Sequence, residues 1–420
     1  MRLPAWHALA MTLTSDMNRG KTALIIGAGI TGPVTALALQ QAGIEATVFE
    51  AYPIDAGGVG GVLTLAPNGL AALDIVGAYE AVAAVGQPMP DMVFEDGRGK
   101  RLGAVAGLPG LDPSLTLWRA DLCGELHDQA KRAGIAIEYG KRLVSVEDTA
   151  TGVTARFADG STASGGVLIG ADGIRSTVRT IIDPAAPEPE YTGLIGFGLP
   201  GSTSSGGEIA GLDGSQGTMH FAFGKKAFFG YFIQPDGGVA FFSNLPNAAP
   251  LTLAEVRQTP AAEWLGRLRE AHRGDFPAEQ VLARASAADL MMAGPLEMMP
   301  PLPHWHRGRM VLAGDSAHAP SSSSGQGASL SIESGIELAR CLRDIPDVAA
   351  AFTAYERLRR DRVEKIAANA KKTNNSKAAG PVAKAVFGAL APLALKTFLK
   401  PEKMFGPVHR YQIDWDAPVR

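Results

Sequence analysis

Residues 22–50 begin Thr22-Ala-Leu-Ile-Ile-Gly27-Ala-Gly29-Ile-Thr-Gly32 and end Ala46-Thr-Val-Phe-Glu50. The apolar run at 22–26 has the length and composition of a buried strand. Pro33–Ala42, rich in Ala, Leu and Gln with its proline in the tolerated first turn, predicts a helix. Residues 46–50 predict the next strand. Three glycines at G-x-G-x-x-G spacing between a strand and a helix, with an acid ending the following strand, form a dinucleotide-binding fingerprint. Gly27 permits the tight turn, Gly29 lets backbone approach a pyrophosphate, and Gly32 lets helix and strand pack closely. The helix N-terminus attracts the anion. Glu50 is placed to accept both ribose hydroxyls of an adenosine and would repel a 2′-phosphate.

Two further constellations stand at predicted strand ends. Gly170-Ala-Asp172-Gly173-Ile-Arg175-Ser-Thr-Val-Arg179 follows a strand-like stretch at Gly166–Gly170, grouped with Leu143–Val146 and Val153–Phe157 as a small antiparallel meander. Met310-Val-Leu-Ala313 predicts a buried strand running into Gly314-Asp315-Ser-Ala-His318, then Gly325-Gln326-Gly327 and a helix to about Leu342. There a carboxylate can accept hydrogen bonds from sugar-alcohol hydroxyls, and a glycine loop opens a helix whose N–H groups face a partly negative ligand. Between these blocks, His220–Phe223, Ala227–Ile233 and Val239–Phe242 predict aromatic-rich strands of a second, antiparallel sheet. Beyond Ala349 the chain reads as helical to about Ala370, followed by a basic-apolar segment at 380–400.

With these motifs in this order, the chain resembles the single-component (class A) FAD-dependent monooxygenases typified by p-hydroxybenzoate hydroxylase, salicylate hydroxylase and FAD-dependent urate hydroxylase. The resemblance covers nearly all of residues 22–345. It implies an α/β fold with a Rossmann-type, glutathione-reductase-like FAD-binding domain, an antiparallel-sheet substrate domain and C-terminal helices. The fingerprint Gly27, Gly29, Gly32 and Glu50 would hold the adenosine half of FAD. Asp172-Gly173, with Arg175 and Arg179, matches the motif tied to both FAD and the nicotinamide cofactor, and Asp315 matches the aspartate on the ribityl chain. Gly325, Gln326 and Gly327 match the segment beside the flavin pyrimidine ring, and Arg119 the arginine near the FAD phosphates. Gly60-Gly-Val-Leu-Thr-Leu-Ala-Pro-Asn68 looks like the segment running beside the isoalloxazine. Two departures fall where substrate would bind: Ser322 stands where many relatives have proline, and Ile195-Gly-Phe-Gly198 where several have Trp-Arg.

The resemblance implies reduction of FAD by NADPH or NADH, addition of O₂ to give a flavin hydroperoxide, and transfer of one oxygen atom to a small aromatic or polycyclic substrate by hydroxylation or epoxidation. No second G-x-G-x-x-G stands at a strand–helix junction, so the nicotinamide is expected to bind transiently near Asp172, Arg175 and Arg179. Phe221, Phe223, Phe228, Phe229, Tyr231 and Phe232 suit a dry cover over the flavin, with alternation turning only some of them that way. No general base is fixed; His220 is a weak candidate that could equally cap its strand. Relatives acting as halogenases carry a Trp-x-Trp-x-Ile-Pro string, and the geranylgeranyl-reductase type has its own aromatic substrate motif; neither occurs here. A flavin-binding accessory protein without turnover is the reading from another class.

Composition bounds the partners. In 420 residues with a net charge of −3, no broad basic surface is available for nucleic acid. Cys123 and Cys341 allow no disulfide framework, which suits a reducing cytoplasm. His304 and His306 lack companion ligands for a metal, and His318 and the methionine pairs 291–292 and 298–299 read as structural. Residues 1–20 carry Pro4 and His7 inside their apolar run and read as a disordered extension rather than a signal peptide. No apolar run reaches the ~20 residues needed to span a bilayer. Val382, Val386, Leu390 and Leu393 recur at helical spacing and are expected to pack on the FAD domain rather than on a membrane surface. The division expected is 21–75, 105–185 and 290–345 for the FAD-binding domain, 76–104 and 186–289 for the substrate domain, and 346–420 for a C-terminal helical region.

Overall fold

The computed structural model describes residues 22–53, 61–199, 209–377 and 400–420. The expectations for residues 1–20, and for the helical spacing at 382–393, lie outside these.

The quoted stretch folds as strand Thr22–Ile26, helix Thr31–Gln41 and strand Glu45–Phe49. Thr22–Ile26 pairs in parallel with Glu45–Phe49 on one side and Val167–Gly170 on the other, and Val167–Gly170 pairs in parallel with Met310–Leu312. These are central strands of a six-stranded sheet flanked by His306–Arg307 and Ala136–Glu138. Ile26 is in register with both Phe49 and Gly170, and Gly170 with Leu312. The residues that follow, Gly27, Glu50, Ala171-Asp172 and Ala313-Gly314-Asp315, therefore emerge together at the carboxyl edge, where open parallel sheets bind ligands.

One strand differs from expectation. Val167–Gly170 belongs to this parallel sheet, and the meander is completed by Thr162–Gly165 beside Val153–Phe157 and Leu143–Asp148. All four residues of Val167-Leu-Ile-Gly170 are buried, the uninterrupted apolar pattern of a strand covered on both faces. Thr162-Ala-Ser-Gly165 lacks the apolar alternation that would have marked it.

The second large sheet has seven strands, ordered Met291–Met298, Glu190–Leu199, Val239–Pro246, Phe228–Ile233, Thr218–Phe223, Asp91–Asp96 and Arg101–Ala106. Its neighbours run antiparallel, except that Thr218–Phe223 and Asp91–Asp96 are parallel. Helices Leu253–Gln258, Ala261–Ala271 and Ala278–Arg284 cover one face, burying Val256, Trp264 and Leu268 with Phe197, Phe229, Tyr231 and Phe241. The opposite face carries Met219, Phe232 and Ala240 and packs against Val62 and Met89. Those two residues stand on Val62–Leu65 and Gln87–Met89, which flank Ser114–Trp118 in a three-stranded sheet. Residues Val76, Ala78 and Val82 lie in the large core with the parallel sheet, so only the strands from Asp91 onward join the antiparallel one.

Helix Gly327–Asp344 packs on Thr31–Gln41 so tightly that a Cβ on Gly335 would meet Thr35 Oγ1 at 2.5 Å. The long helix Val348–Lys377 closes over it, burying Phe352 and Tyr355. Fully buried Arg359 pairs with Glu333 at 2.7 Å, and Arg362 reaches the same carboxylate at 2.9 Å. Although burial pulls the Glu333 carboxyl up, these two guanidiniums hold it below its ordinary value. No helix among the described residues is long and apolar enough to cross a membrane.

Candidate active site

The turn after Thr22–Ile26 is held by Gly27 N–H donating to Phe49 O at 2.8 Å. Gly27 has φ of +104°, and a Cβ there would lie 2.4 Å from Ala171 O. Any side chain is therefore strained and blocked by the neighbouring motif loop. A Cβ on Gly32 would meet Gly27 O at 2.0 Å, so turn and helix close on each other. Gly29 is different: its Cβ direction is open, bounded only by the Arg119 guanidinium at 3.7 Å. Glu50 accepts from Ala28 N–H at 2.8 Å and from Tyr52 N–H at 3.0 Å, one bond on each oxygen. A carboxylate offers about four lone-pair sites, so each oxygen retains capacity for a ribose hydroxyl.

Asp315 follows Gly314, whose φ of +66° and close approach to Thr31 Oγ1 (2.1 Å from an added Cβ) aim it over the end of the sheet. Its carboxylate keeps a residual open face yet lies deep enough that desolvation raises its pKa, with Arg119 and Ser331 pulling the other way. Ser331 Oγ donates to it at a long 3.4 Å. A carboxylate in so dry a place is stabilised by further donors, and sugar-alcohol hydroxyls would supply them. Gln326 caps helix Gly327–Asp344, and its Oε1 accepts from Asn68 Nδ2 at 3.0 Å. Nothing lies within 4 Å of a Cβ on Gly325 or Gly327, leaving this helix start bare. Open backbone at Gly29 and at Gly325–Gly327, two carboxylates and Arg119 between them fit a flavin dinucleotide stretched along the sheet edge.

The middle motif turns inward. Asp172 accepts from Ser176 Oγ at 2.5 Å, Thr177 N–H at 2.7 Å and Val178 N–H at 3.1 Å, and so caps helix Thr177–Ile182. Its carboxylate is engaged with its own loop. Arg179 is buried and donates to Ser316 O at 3.2 Å, joining this loop to the Asp315 segment. It is not placed to meet a pyrophosphate. Arg175 is exposed and pairs with Glu297 at 2.6 Å.

His220 lies on the sheet face turned toward the covering helices. It is fully buried, its Nδ1 is 3.0 Å from Glu95 Oε1, and its ring stacks on Tyr231 at 4.5 Å. Tyr231 OH donates to Glu95 Oε2 at 3.1 Å, and burial with Glu95 nearby pushes that phenol up. Tyr231 belongs to the core under the covering helices, on the sheet face turned away from Val62 and Met89. Strand alternation gives His220 the same face, where it is sealed with Glu95 and Tyr231. The aromatic set divides likewise: Phe221 and Phe232 face the Val62 side, Phe229 and Tyr231 the helices. His318 is buried, held near pKa 3 by desolvation and Arg359, and pairs through Nε2 with Ser334 Oγ at 2.7 Å. Among the described residues no cluster could hold a metal ion.

Sequence reasoning missed Asn68 as a bridge. Its Nδ2 also donates to Glu333 Oε1 at 2.7 Å, linking the bare helix start to the Arg359 and Arg362 pair. It missed His127 too, whose Nε2 is 2.5 Å from Ala28 O and braces the fingerprint loop. Neither has a local signal, because the partners are distant in sequence.

A parallel sheet with three glycine-acid motifs at one edge, beside an aromatic antiparallel sheet, is the architecture of a flavin-dinucleotide-binding oxidoreductase. The chain belongs to the FAD binding domain family, whose model matches residues 21–196 and 301–370. It is 31% identical to the FAD-dependent urate hydroxylase of Klebsiella pneumoniae over 83% of this chain and 88% of that one. It is also 28% identical to the aurachin C monooxygenase/isomerase of Stigmatella aurantiaca (82% and 87%), and 27% to 3-hydroxybenzoate 6-hydroxylase 1 of Aquipseudomonas alcaligenes (82% and 86%). The solved structure of Klebsiella pneumoniae HpxO with FAD and uric acid superposes with a TM-score of 0.77 at 25% identity, covering 93% of this chain and 96% of that one. The protein is an FAD-dependent monooxygenase, with FAD as its cofactor.

Proposed function

We propose that the protein hydroxylates the ring of a small aromatic or heterocyclic molecule, with NADH or NADPH as reductant. One atom of O₂ enters a substrate C–H bond and the other leaves as water. The two electrons come from the nicotinamide. Relatives named for urate and 3-hydroxybenzoate support a ring substrate. The observation that carries it is the placement of half-buried Phe221 and Phe242 on the sheet face that packs against Val62, beside the strand leading to Arg119.

When bound, FAD supplies the oxygen-activating chemistry. The chain's residues position and seal it. Gly27, Gly29, Gly32 and Glu50 take the adenosine half, Arg119 a phosphate, and Asp315 the ribityl hydroxyls. The N–H groups opening Gly327–Asp344, an 18-residue helix, present partial positive charge where the reduced ring gains electron density. Asp172 and Arg179 act by holding the motif loops together. Arg175, exposed and close to that edge, is the cation for the nicotinamide pyrophosphate. The aromatic sheet excludes water from the reacting atoms.

The test is stimulated NAD(P)H oxidation by FAD-loaded protein across a panel of phenols and hydroxylated heterocycles, with ¹⁸O₂ incorporation read by mass. One labelled oxygen in product supports the reading. Cofactor oxidation that no panel member changes, with no labelled product, points instead to a flavin-binding protein without turnover.

A further inference from the structure

The sheet face that looks toward Val62 and Met89 is unusual in what it omits. Cross-strand register sets Phe94, Phe221, Gly230, Phe242, Gly198 and Met291 side by side in one row. Phe94, Phe221, Phe242 and Met291 in that row are half-buried, so the row borders open space. Phe94 stacks on Phe221 at 5.6 Å, and Phe221 meets Phe242 edge-on at 6.4 Å. The glycines let neighbours lie down: an added Cβ on Gly230 would touch the Phe242 ring at 2.2 Å, and one on Gly198 the Met291 methyl at 3.1 Å. The result is a low apolar floor rather than a row of knobs. Nearer Val62 stand Met92 and Met219; on the far side the polar groups are Asp96 and Asn244.

No Lys, Arg or His occupies these positions. Lys226, in the turn between Phe223 and Phe228, pairs with Glu270 of a covering helix on the other face. Arg175 is paired with Glu297. Among the described residues of this floor, an anionic ring would lose water without gaining a counter-charge, an unfavourable exchange in so apolar a setting.

Resting on the ring-hydroxylase reading above, we propose that the substrate is a neutral, flat, lipophilic aromatic molecule, and that the row through Phe221 and Phe242 selects against carboxylates and other anions. FAD-loaded protein is titrated with 2-naphthol and with 6-hydroxy-2-naphthoate, following the absorbance shift of the bound flavin, and products are weighed. In the parent, 2-naphthol is expected to bind at least tenfold more tightly. Phe221→Arg, which adds a cation at a half-exposed position, is expected to reverse the preference while retaining FAD. Equal or tighter binding of the naphthoate by the parent, or no flavin shift with either compound, overturns the neutral-substrate proposal. Oxygenated product from the naphthoate would leave the hydroxylase reading intact while sinking this one. Tight 2-naphthol binding by a protein that yields no oxygenated product from any panel compound would do the reverse.

Discussion

Asp315→Ala should separate cofactor affinity from fold stability. In the apo-protein this carboxylate is desolvated, its pKa is raised, and its hydrogen bond to Ser331 is long at 3.4 Å. Removing it takes away a buried charge that is poorly solvated, so the apo-protein should unfold no earlier than the parent. FAD loses a charged acceptor for its hydroxyls. One such hydrogen bond contributes about 1.5–3 kcal/mol, which at about 1.4 kcal/mol per decade is roughly a 10–150-fold rise in Kd. The pH dependence has a definite sign. Because the folded-state pKa lies above the unfolded one, the folded apo-protein binds the proton more tightly, and stability falls as pH rises from the unfolded carboxyl value through the raised one. Asp315→Ala should flatten that slope. Flavin fluorescence quenching gives the Kd and calorimetry of the apo-protein gives stability against pH. A variant that keeps FAD within about threefold of the parent, or whose apo-protein melts much earlier, refutes the assignment (threefold is about 0.7 kcal/mol).

Arg175→Ala should slow flavin reduction by NAD(P)H with FAD content unchanged, whereas Arg179→Ala should lower stability, because Arg179 is buried on Ser316 O; stopped-flow reduction and melting separate the two, and equal reduction rates in Arg175→Ala and parent remove the nicotinamide role. His220→Gln should leave kcat within about twofold at equal FAD content, because losing a general base typically costs about 10²–10⁴-fold, far more than the ~0.4 kcal/mol this represents; a hundredfold loss returns His220 to the active site. Arg359→Met leaves Glu333 with a single guanidinium partner and should cost about 3–5 kcal/mol in chemical denaturation, the range for breaking a buried pair. Gly27→Ala should fail to load FAD and lose at least about 1–2 kcal/mol from backbone conformation alone, with the 2.4 Å approach to Ala171 O adding to it; a soluble, yellow variant of parental stability contradicts that geometry.

The strand–turn–helix geometry of the fingerprint was legible because its signals are local. Gly27, Gly29, Gly32 and Glu50 lie within one strand–helix–strand unit, where each residue's conformation follows from neighbours a few positions away. The same locality concealed a structural role at Asp172. A carboxylate followed by Ser176-Thr177 at a helix start is also a cap, and the structure uses it that way. Arg179 carries no sequence mark of its burial, because Ser316 comes to it from the adjacent parallel strand. Glu333 and Arg359 are joined only when two helices pack, and Asn68 reaches Glu333 from an entirely different part of the chain.

His220 and Phe221 show why the substrate half resisted. They are adjacent in sequence and belong to the same aromatic strand, yet one is sealed against Glu95 and Tyr231 while the other borders the cleft. Alternation predicts that they part company, but not which of them faces the flavin. That choice is made by register across strands far apart in the chain, Phe221 opposite both Phe94 and Gly230, and by Val62 and Met89 meeting one face of the sheet. A one-residue slip of Thr218–Phe223 would turn His220 instead of Phe221 toward Val62. On the proposed substrate face, specificity is therefore a property of pairing register, and it becomes readable only after the two sheets are placed against each other.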